Sequence, residues 1–423
     1  MREMKKFPRS AYLHIPFCHR RCFYCDFAVE PVGDRGHGEN GPASKSIKSY
    51  LDVLKREIDL SPEGVPLSTI YIGGGTPSLL SPSQVKSLLE HLKAHFGFQD
   101  GFELTLEIDP ASFDKTTLDG YLKAGVNRMS LGGQSFDDKI LAELGRNHRS
   151  NDLKESCIWL QEAYERGDLV SWSLDLIQNL PGHNLKLWEN QLLQVIGFSI
   201  PHLSIYDLSI EPGTLFEYKF KKGQLNIPPE TLAVDISNKT SLMLKEAGYS
   251  RYEISNFALP GHASRHNRVY WSGAGWWGFG QGATSAPWGK RFSRPRTHHG
   301  YKKWVEKQEM LGIHSSLKLI NSQQIDLDEQ LLVGLRRREG VDLEQLAISW
   351  GWNKLQRKKY LNKLISSWNQ FINNGALLND YGMRFQLTDP YGMEISNCIL
   401  LEMYCWWQKL PANAISPSNS EET

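Results

Sequence analysis

A chain of 423 residues with 48 Lys and Arg against 47 Asp and Glu carries a formal net charge of +1 at pH 7. That balance supplies no field to draw it onto nucleic acid or anionic lipid, so any anion it binds must be caught by local groups. No stretch approaches the ~20 apolar residues of a membrane span, and the length suits about two or three domains.

The opening segment, MREMKKFPRSAYLHIPF, is basic but lacks the apolar run of a secretory signal. A cytoplasmic protein is expected, with at most peripheral membrane contact. In that compartment clustered cysteines are more often metal ligands or catalytic groups than disulfides. The next segment, HIPFCHRRCFYCDF, holds Cys18, Cys22 and Cys25, spaced by three residues and then two, with no fourth cysteine beside them.

Four chemistries compete for these thiols. Zinc wants four ligands, and His14 or His19 is at hand to complete the set. Cys22 and Cys25 form a CxxC pair, but such redox motifs open a helix, whereas here a short strand, AYLHIP, comes first. A loop of idle thiols is a poor use of this density. An iron–sulfur cluster usually takes four cysteines; three on a cubane leave one iron open to a small molecule. The spacing favours this last reading and resembles that of radical S-adenosylmethionine (SAM) proteins. There SAM chelates the open iron, and one electron from the cluster splits it to methionine and a 5′-deoxyadenosyl radical. The difficult chemistry belongs to the cofactor.

The chain beyond alternates strand and helix. AYLHIP leads into SYLDVLKREIDL. STIYIGG precedes SPSQVKSLLEHLKAHF, where Ser81 is an N-cap, Pro82 the first helical residue and Gln84 the partner in a capping box. FELTLEID precedes DKTTLDGYLKAG, NRMSLGGQSF precedes DDKILAELG, VSWSLDLIQNLPG precedes LKLWENQLLQVIGF, and HLSIYDLSI follows. About six βα units imply a parallel sheet whose ligands sit at the C-terminal ends of the strands. Glu107, Gln134 and Asp175 fall there. Each has a plainer role as a helix cap or loop brace, and Gly73 to Gly75 as a tight turn; together, after an open-cluster motif, they point to a ligand.

In order and spacing, YLHIPFCHRRCFYCDF, GGGTPS, LEIDP, LGGQSF, LGRNH and LDLIQNLPG resemble the oxygen-independent coproporphyrinogen III oxidase family of radical SAM proteins, over nearly the whole chain. The resemblance implies an α/β fold: a partial (β/α)6 barrel with a smaller C-terminal α+β domain of winged-helix type. It gives Cys18, Cys22 and Cys25 to a 4Fe–4S cluster. Tyr12, Tyr24, Gly74, Gly75, Thr76, Glu107, Gln134, Arg146 and Asp175 match its SAM-contacting positions. The N–H groups of the glycine turn are expected to meet the methionine part, and Arg146 offers a fork for a carboxylate.

Two departures bear on the branch. The oxidases carry a fourth cysteine where this chain has Phe27, and a longer N-terminal arm, whereas only eleven residues precede Tyr12 here. Both departures match the heme-chaperone branch of the family, as does RHNRVYW, with its HNxxYW pattern at His266, Asn267, Tyr270 and Trp271. His266 can ligate iron as a neutral imidazole. Tyr270, Trp271, Trp276, Trp277, Phe279 and Trp288 are expected to surround it, with Arg265, Arg268 and Arg291 for the propionates. The plainer alternative is an aromatic lid with His266 hydrogen-bonded inside.

The expected organisation is a radical SAM core over 1–220, an extension carrying the HNxxYW segment over 221–320, a C-terminal domain over 321–410 and a disordered tail over 411–423. A polar loop, VGDRGHGENGPASKS, follows the cysteines. Cys157, Cys398 and Cys405 are expected to pack as small apolar residues. The neutral charge balance argues against nucleic-acid binding by the winged-helix-like part. Three functions are in play, in this order: a heme chaperone serving acceptor proteins, with a flavodoxin- or ferredoxin-type electron donor; an anaerobic coproporphyrinogen III dehydrogenase; and a non-catalytic cluster- or zinc-binding protein.

Overall fold

The computed structural model describes residues 7–33, 43–289, 291–311, 325–379 and 382–415. Most of the polar loop after the cysteines, and everything past Ile415, lies outside these residues.

Six strands run parallel: β1 (Ser10–Ile15), β2 (Leu67–Gly74), β3 (Phe98–Ile108), β4 (Arg128–Gln134), β5 (Ser171–Gln178) and β6 (His202–Asp207). They are neighbours in chain order, as short right-handed crossovers require. The crossovers are α1 (Ser44–Asp59), α2 (Pro82–Phe96), α3 (Lys115–Lys123), α4 (Ser150–Glu165) and α5 (Leu185–Gly197). The Ser81 capping box opens α2: the Gln84 N–H donates to Ser81 Oγ at 3.2 Å, and the Ser81 N–H donates to Gln84 Oε1 at 2.9 Å.

One crossover differs from the sequence reading. DDKILAELG contributes only a short helix, Asp138–Glu143, and α4 covers the sheet instead, burying Leu153, Cys157 and Leu160. Six residues make under two turns and cannot cover two strands.

The strands alternate between two faces, with register shifts at Leu67/Thr69 and Gly132/Gln134. Leu13, Ile70, Leu104, Leu106, Met129, Leu131, Trp172, Leu174 and Leu203 face the helices and form the main core. The other face carries polar groups: Thr69, Glu103, Thr105, Arg128, Ser130, Ser173 and His202 are buried, and Tyr71, Glu107 and Asp175 are half-buried. Parallel strands usually bury apolar residues on both faces; a polar inner face marks a lumen built to hold something other than side-chain hydrocarbon.

Residues after β6 complete this body. Helices α6 (Leu215–Lys221) and α7 (Glu230–Glu246) lead to β7 (Ser250–Arg251) and β8 (Asn256–Ala258), which extend the sheet antiparallel beyond β6. Helix α8 (Arg265–Ser272) carries the HNxxYW pattern. Strand β9 (Trp277–Phe279) returns to pair in parallel with β1 at the opposite edge, and α9 (His298–Leu311) packs on α1. The 221–311 segment thus shares the barrel's core, to which it adds Ile236, Leu244, Trp277, Phe279, Tyr301 and Val305.

A second core runs from Leu327 to Ala414. It is built by α10 (Leu327–Leu335), α11 (Leu343–Trp350), α12 (Lys354–Asn373), α13 (Ser396–Gln408) and a small antiparallel sheet in which β12 (Arg384–Leu387) lies between β10 (Val341–Asp342) and β11 (Leu377–Leu378). The expected tail begins instead with a short helix, Ala412–Ile415, whose Ala414 is buried in this core. Cys157 is buried as expected, but Cys398 is exposed and Cys405 half-buried. The apolar face of α13 is spent on Ile399, Leu400, Met403, Trp406 and Trp407, which turns those two cysteines outward. No helix among the described residues is long and apolar enough to cross a membrane.

Candidate functional site

The C-terminal ends of the parallel strands surround a cavity of about 380 Å³, within the range of small-ligand sites. Cys18, Cys22 and Cys25 line it together with Tyr24, Gly74, Gly75, Thr76, Glu107, Gln134, Arg146 and Asp175. Residues from four strands and two loops therefore converge as the strand-end argument requires. Tyr12 does not line this cavity. It sits one layer deeper, its hydroxyl bonded to His14 Nδ1 at 3.0 Å and its ring stacked on Tyr71.

The glycine turn holds the cysteine loop rather than presenting donors. The Gly75 N–H donates to Ile15 O at 2.8 Å, Thr76 N–H to Phe17 O at 2.7 Å, and Gly74 N–H to Glu107 Oε2 at 2.9 Å. The N–H groups of Gly74, Gly75 and Thr76, expected to meet the methionine part of SAM, are all engaged within the protein. A Cβ on residue 75 would lie 2.8 Å from Cys18 Sγ and 2.6 Å from Phe17 O, so only glycine lets the two loops touch. Phe23 and Tyr24, between the last two cysteines, pack on a small core of Ile140, Leu144, Ile177 and Phe216 that anchors the loop.

Burial pushes the Cys18 thiol up to about 12 and raises Cys25 as well. Thiols in so dry a place ionise only beside a compensating positive centre, which suits a metal cluster. Among the described residues no three His, Cys, Asp or Glu converge as ligands for a single ion. His14, the suggested fourth zinc ligand, has Nε2 bonded to Ala28 O at 3.0 Å and Nδ1 to Tyr12.

Arg146 comes within 3.5 Å of Cys22 Sγ through Nη1, while Nη2 donates to Asp109 and, at 2.9 Å, to Gly132 O. Burial alone would neutralise this pair, and mutual attraction overrides it: Asp109 stays well below the usual carboxylate range because Arg146 lies against it. The fork expected to meet a ligand carboxylate is thus largely taken. Asp109 was not among the candidates, although it lies two residues past Glu107, on the same side of an extended chain.

Glu107 Oε1 accepts from Tyr71 O–H at 2.8 Å, yet desolvation raises its pKa to about 7. Asp175 accepts from Ser130 Oγ at 3.2 Å, and burial raises it to about 6. Gln134 stands in the left-handed region at φ 58°, and its buried Oε1 has no partner. Backbone strain and an orphaned acceptor on a cavity wall mark a position held for a ligand.

The HNxxYW helix lies elsewhere. Through His266, α8 reaches Thr69 at the start of β2, and the N–H groups of Arg265 and His266 donate to Glu103 at 3.1 and 3.0 Å. It therefore closes the N-terminal mouth of the barrel. His266 is fully buried, with Nδ1 2.9 Å from Thr69 Oγ1 and Nε2 2.8 Å from the Tyr270 hydroxyl, and burial lowers its pKa to about 3. Asn267 and Trp271 are half-buried on the same helix.

Of the expected aromatic shell, Tyr270 meets His266 and Trp276 packs against Tyr270, whereas Trp277, Phe279 and Trp288 belong to the core beyond β9, around Phe96. Alternation within W-G-F puts both large rings on the helix side, the signal that separates them from His266. Arg265 is bonded to Gly101 O at 2.6 Å, Arg268 is paired with Glu339, and Arg291 with Glu329 at 2.8 Å.

Residues 12–190 match the Radical SAM superfamily. The chain is 36% identical to the heme chaperone HemW of Synechocystis sp., over 94% of its own length and 96% of that protein's. The chain belongs to the HemW family of radical SAM proteins. HemW of Escherichia coli is 35% identical over 69% of this chain and 74% of its own. A mouse protein, radical S-adenosyl methionine domain-containing protein 1, mitochondrial, is 30% identical over 96% of this chain and 90% of its own. Among solved structures, E. coli coproporphyrinogen III oxidase (HemN) superposes with a TM-score of 0.75 at 22% identity, covering 95% of this chain and 91% of that one, so the two share a fold. Radical SAM membership implies a 4Fe–4S cluster and SAM. In this HemW-family chain the three thiols suit the first, and the orphaned Gln134 with the two raised carboxylates suits the second.

Proposed function

We propose that this protein is a heme chaperone, binding heme at α8 and passing it to acceptor proteins. The 4Fe–4S cluster on Cys18, Cys22 and Cys25, with SAM against Glu107, Gln134 and Asp175, occupies the other end of the barrel and draws on a flavodoxin- or ferredoxin-type electron donor. When bound, these groups supply one-electron cleavage of SAM.

One observation carries the choice of carriage over turnover. His266 bonds Thr69 at the start of β2 and Glu107 bonds Gly74 at its end, with the Tyr71 side chain between them, its ring stacked on His266 and its hydroxyl donating to Glu107. A porphyrin iron on His266 would thus be screened from the SAM site by the Tyr71 ring, whereas hydrogen abstraction demands direct contact. The neutral His266 suits iron ligation, with Nε2 exchanging the Tyr270 hydroxyl for the metal. Near-full-length likeness to HemW proteins supports the same reading.

The test uses anaerobically reconstituted protein. Heme binding should give an absorption band that shifts in His266→Ala, and coproporphyrinogen III with SAM and a reductant should yield no protoporphyrinogen. Steady product would restore the dehydrogenase; neither binding nor turnover would remove both readings.

A further inference from the structure

Where α8 meets the C-terminal domain, positive charge is in surplus. Arg268, exposed on α8, pairs with Glu339. Arg384, exposed at the start of β12, donates through Nη1 to the Glu339 carbonyl at 3.1 Å. Arg337 lies between them, half-buried; desolvation lowers its pKa most, the Glu339 charge opposes that, and the charges of Arg268 and Arg384 lower it further. Its Nη2 has only a long 3.4 Å bond to Gly340 O, and its Nε is buried without a partner. Of these three guanidinium groups only Arg268 bonds the Glu339 carboxylate, while Arg384 is held by that residue's carbonyl and Arg337 by the Gly340 carbonyl. On the adjoining side Arg336 lies 5.8 Å from the centre of the Trp271 ring. Desolvated like charges repel unless an anion completes them, and a guanidinium fork is shaped for carboxylate.

We propose that this junction is a carboxylate-binding site, in which Arg268, Arg337 and Arg384 take the propionates of a porphyrin lying along Trp271, and Glu339 holds the place when the porphyrin is absent. The proposal rests on the heme-carrier reading and replaces Arg265 and Arg291 as the propionate partners with two arginines of the C-terminal domain.

The experiment compares, on the full chain, hemin, metal-free protoporphyrin IX and hemin dimethyl ester, which lacks free carboxylates. Arg384→Gln, an exposed change that leaves the core untouched, and Arg337→Gln should each weaken hemin and protoporphyrin IX by roughly tenfold and leave the ester unchanged. Glu339→Gln should strengthen the two free acids by a few fold. Equal losses for acid and ester, no loss in either arginine variant, or failure of wild-type protein to bind either free acid would overturn the site. If hemin binds and shifts in His266→Ala but ignores both arginine changes, the carrier reading survives and this site does not. If protoporphyrin IX binding depends on the arginines while His266→Ala changes nothing with hemin, the site stands and His266 ligation falls.

Discussion

Glu107 offers a measurement that needs no cofactor. Its pKa is near 7 in the folded chain against an ordinary 4.5, a difference of about 2.5 units, or about 3 kcal/mol at 1.36 kcal/mol per unit. Because Glu107 borders the cavity and is only partly shielded from its water, about 1–3 kcal/mol is the realistic range. The unfolded chain ionises this carboxyl first. Folded stability from this group is therefore fully present below about pH 4.5, falls as pH rises toward 7, and is flat above.

Glu107→Gln carries no titrating proton but keeps an oxygen for the Gly74 N–H. Urea denaturation of cluster-free wild type and variant between pH 4.5 and 8, followed by far-UV circular dichroism, gives a difference in which titrating groups remote from Glu107 cancel, leaving Glu107 together with Asp175, whose charge helps to raise it. That difference should swing by about 1–3 kcal/mol in favour of the glutamine protein as pH rises through 7. A difference flat to within about 0.5 kcal/mol would mean that the carboxyl is not perturbed by its burial and would refute the reasoning.

Cys18→Ala should remove iron and sulfide together from anaerobically prepared protein, which in wild type should hold about four of each per chain; stoichiometric zinc without sulfide would point to the non-redox alternative. Glu57 is buried with Arg294 Nε at 2.6 Å and also accepts from the Tyr301 hydroxyl at 2.6 Å and the Gly280 N–H at 2.7 Å. Glu57→Ala leaves Arg294 charged and unpaired, and should cost about 3–5 kcal/mol in urea denaturation; a loss below about 1 kcal/mol would show that water reaches the arginine.

What the sequence could disclose followed from locality. Three cysteines within eight residues, a capping box at Ser81 and carboxylates at strand ends are all read from neighbours in the chain, and the structure brings them to one cavity. Contacts across long separations left no such trace. Strand β9 has three residues, too few to show a period, and pairs with β1 across more than 260 residues. The aromatic-rich run from Tyr270 to Trp288 reads as one shell because composition cannot show that a strand divides it between two faces. The Arg146 fork looked open because its partner, Asp109, lies 37 residues back in the chain, just past the end of β3. Arg337 and Arg384 gained meaning only when the C-terminal domain met α8.

The two ends of the barrel are joined by a single side chain. Tyr71 stacks on His266, ring centres 5.3 Å apart, and donates its hydroxyl to Glu107. Tyr71→Phe keeps the stack and removes the donor. The lost bond had stabilised the ionised carboxylate, so the Glu107 pKa should climb beyond 7, and the fall in stability with pH should extend to higher pH than in wild type. Because Phe fills the same space, the His266 neighbourhood should be unmoved, read by hydrogen exchange of the α8 amides. A pH profile identical to wild type would show that the hydroxyl does not reach Glu107 in solution. Faster exchange across α8 would show instead that the hydroxyl also steadies the helix.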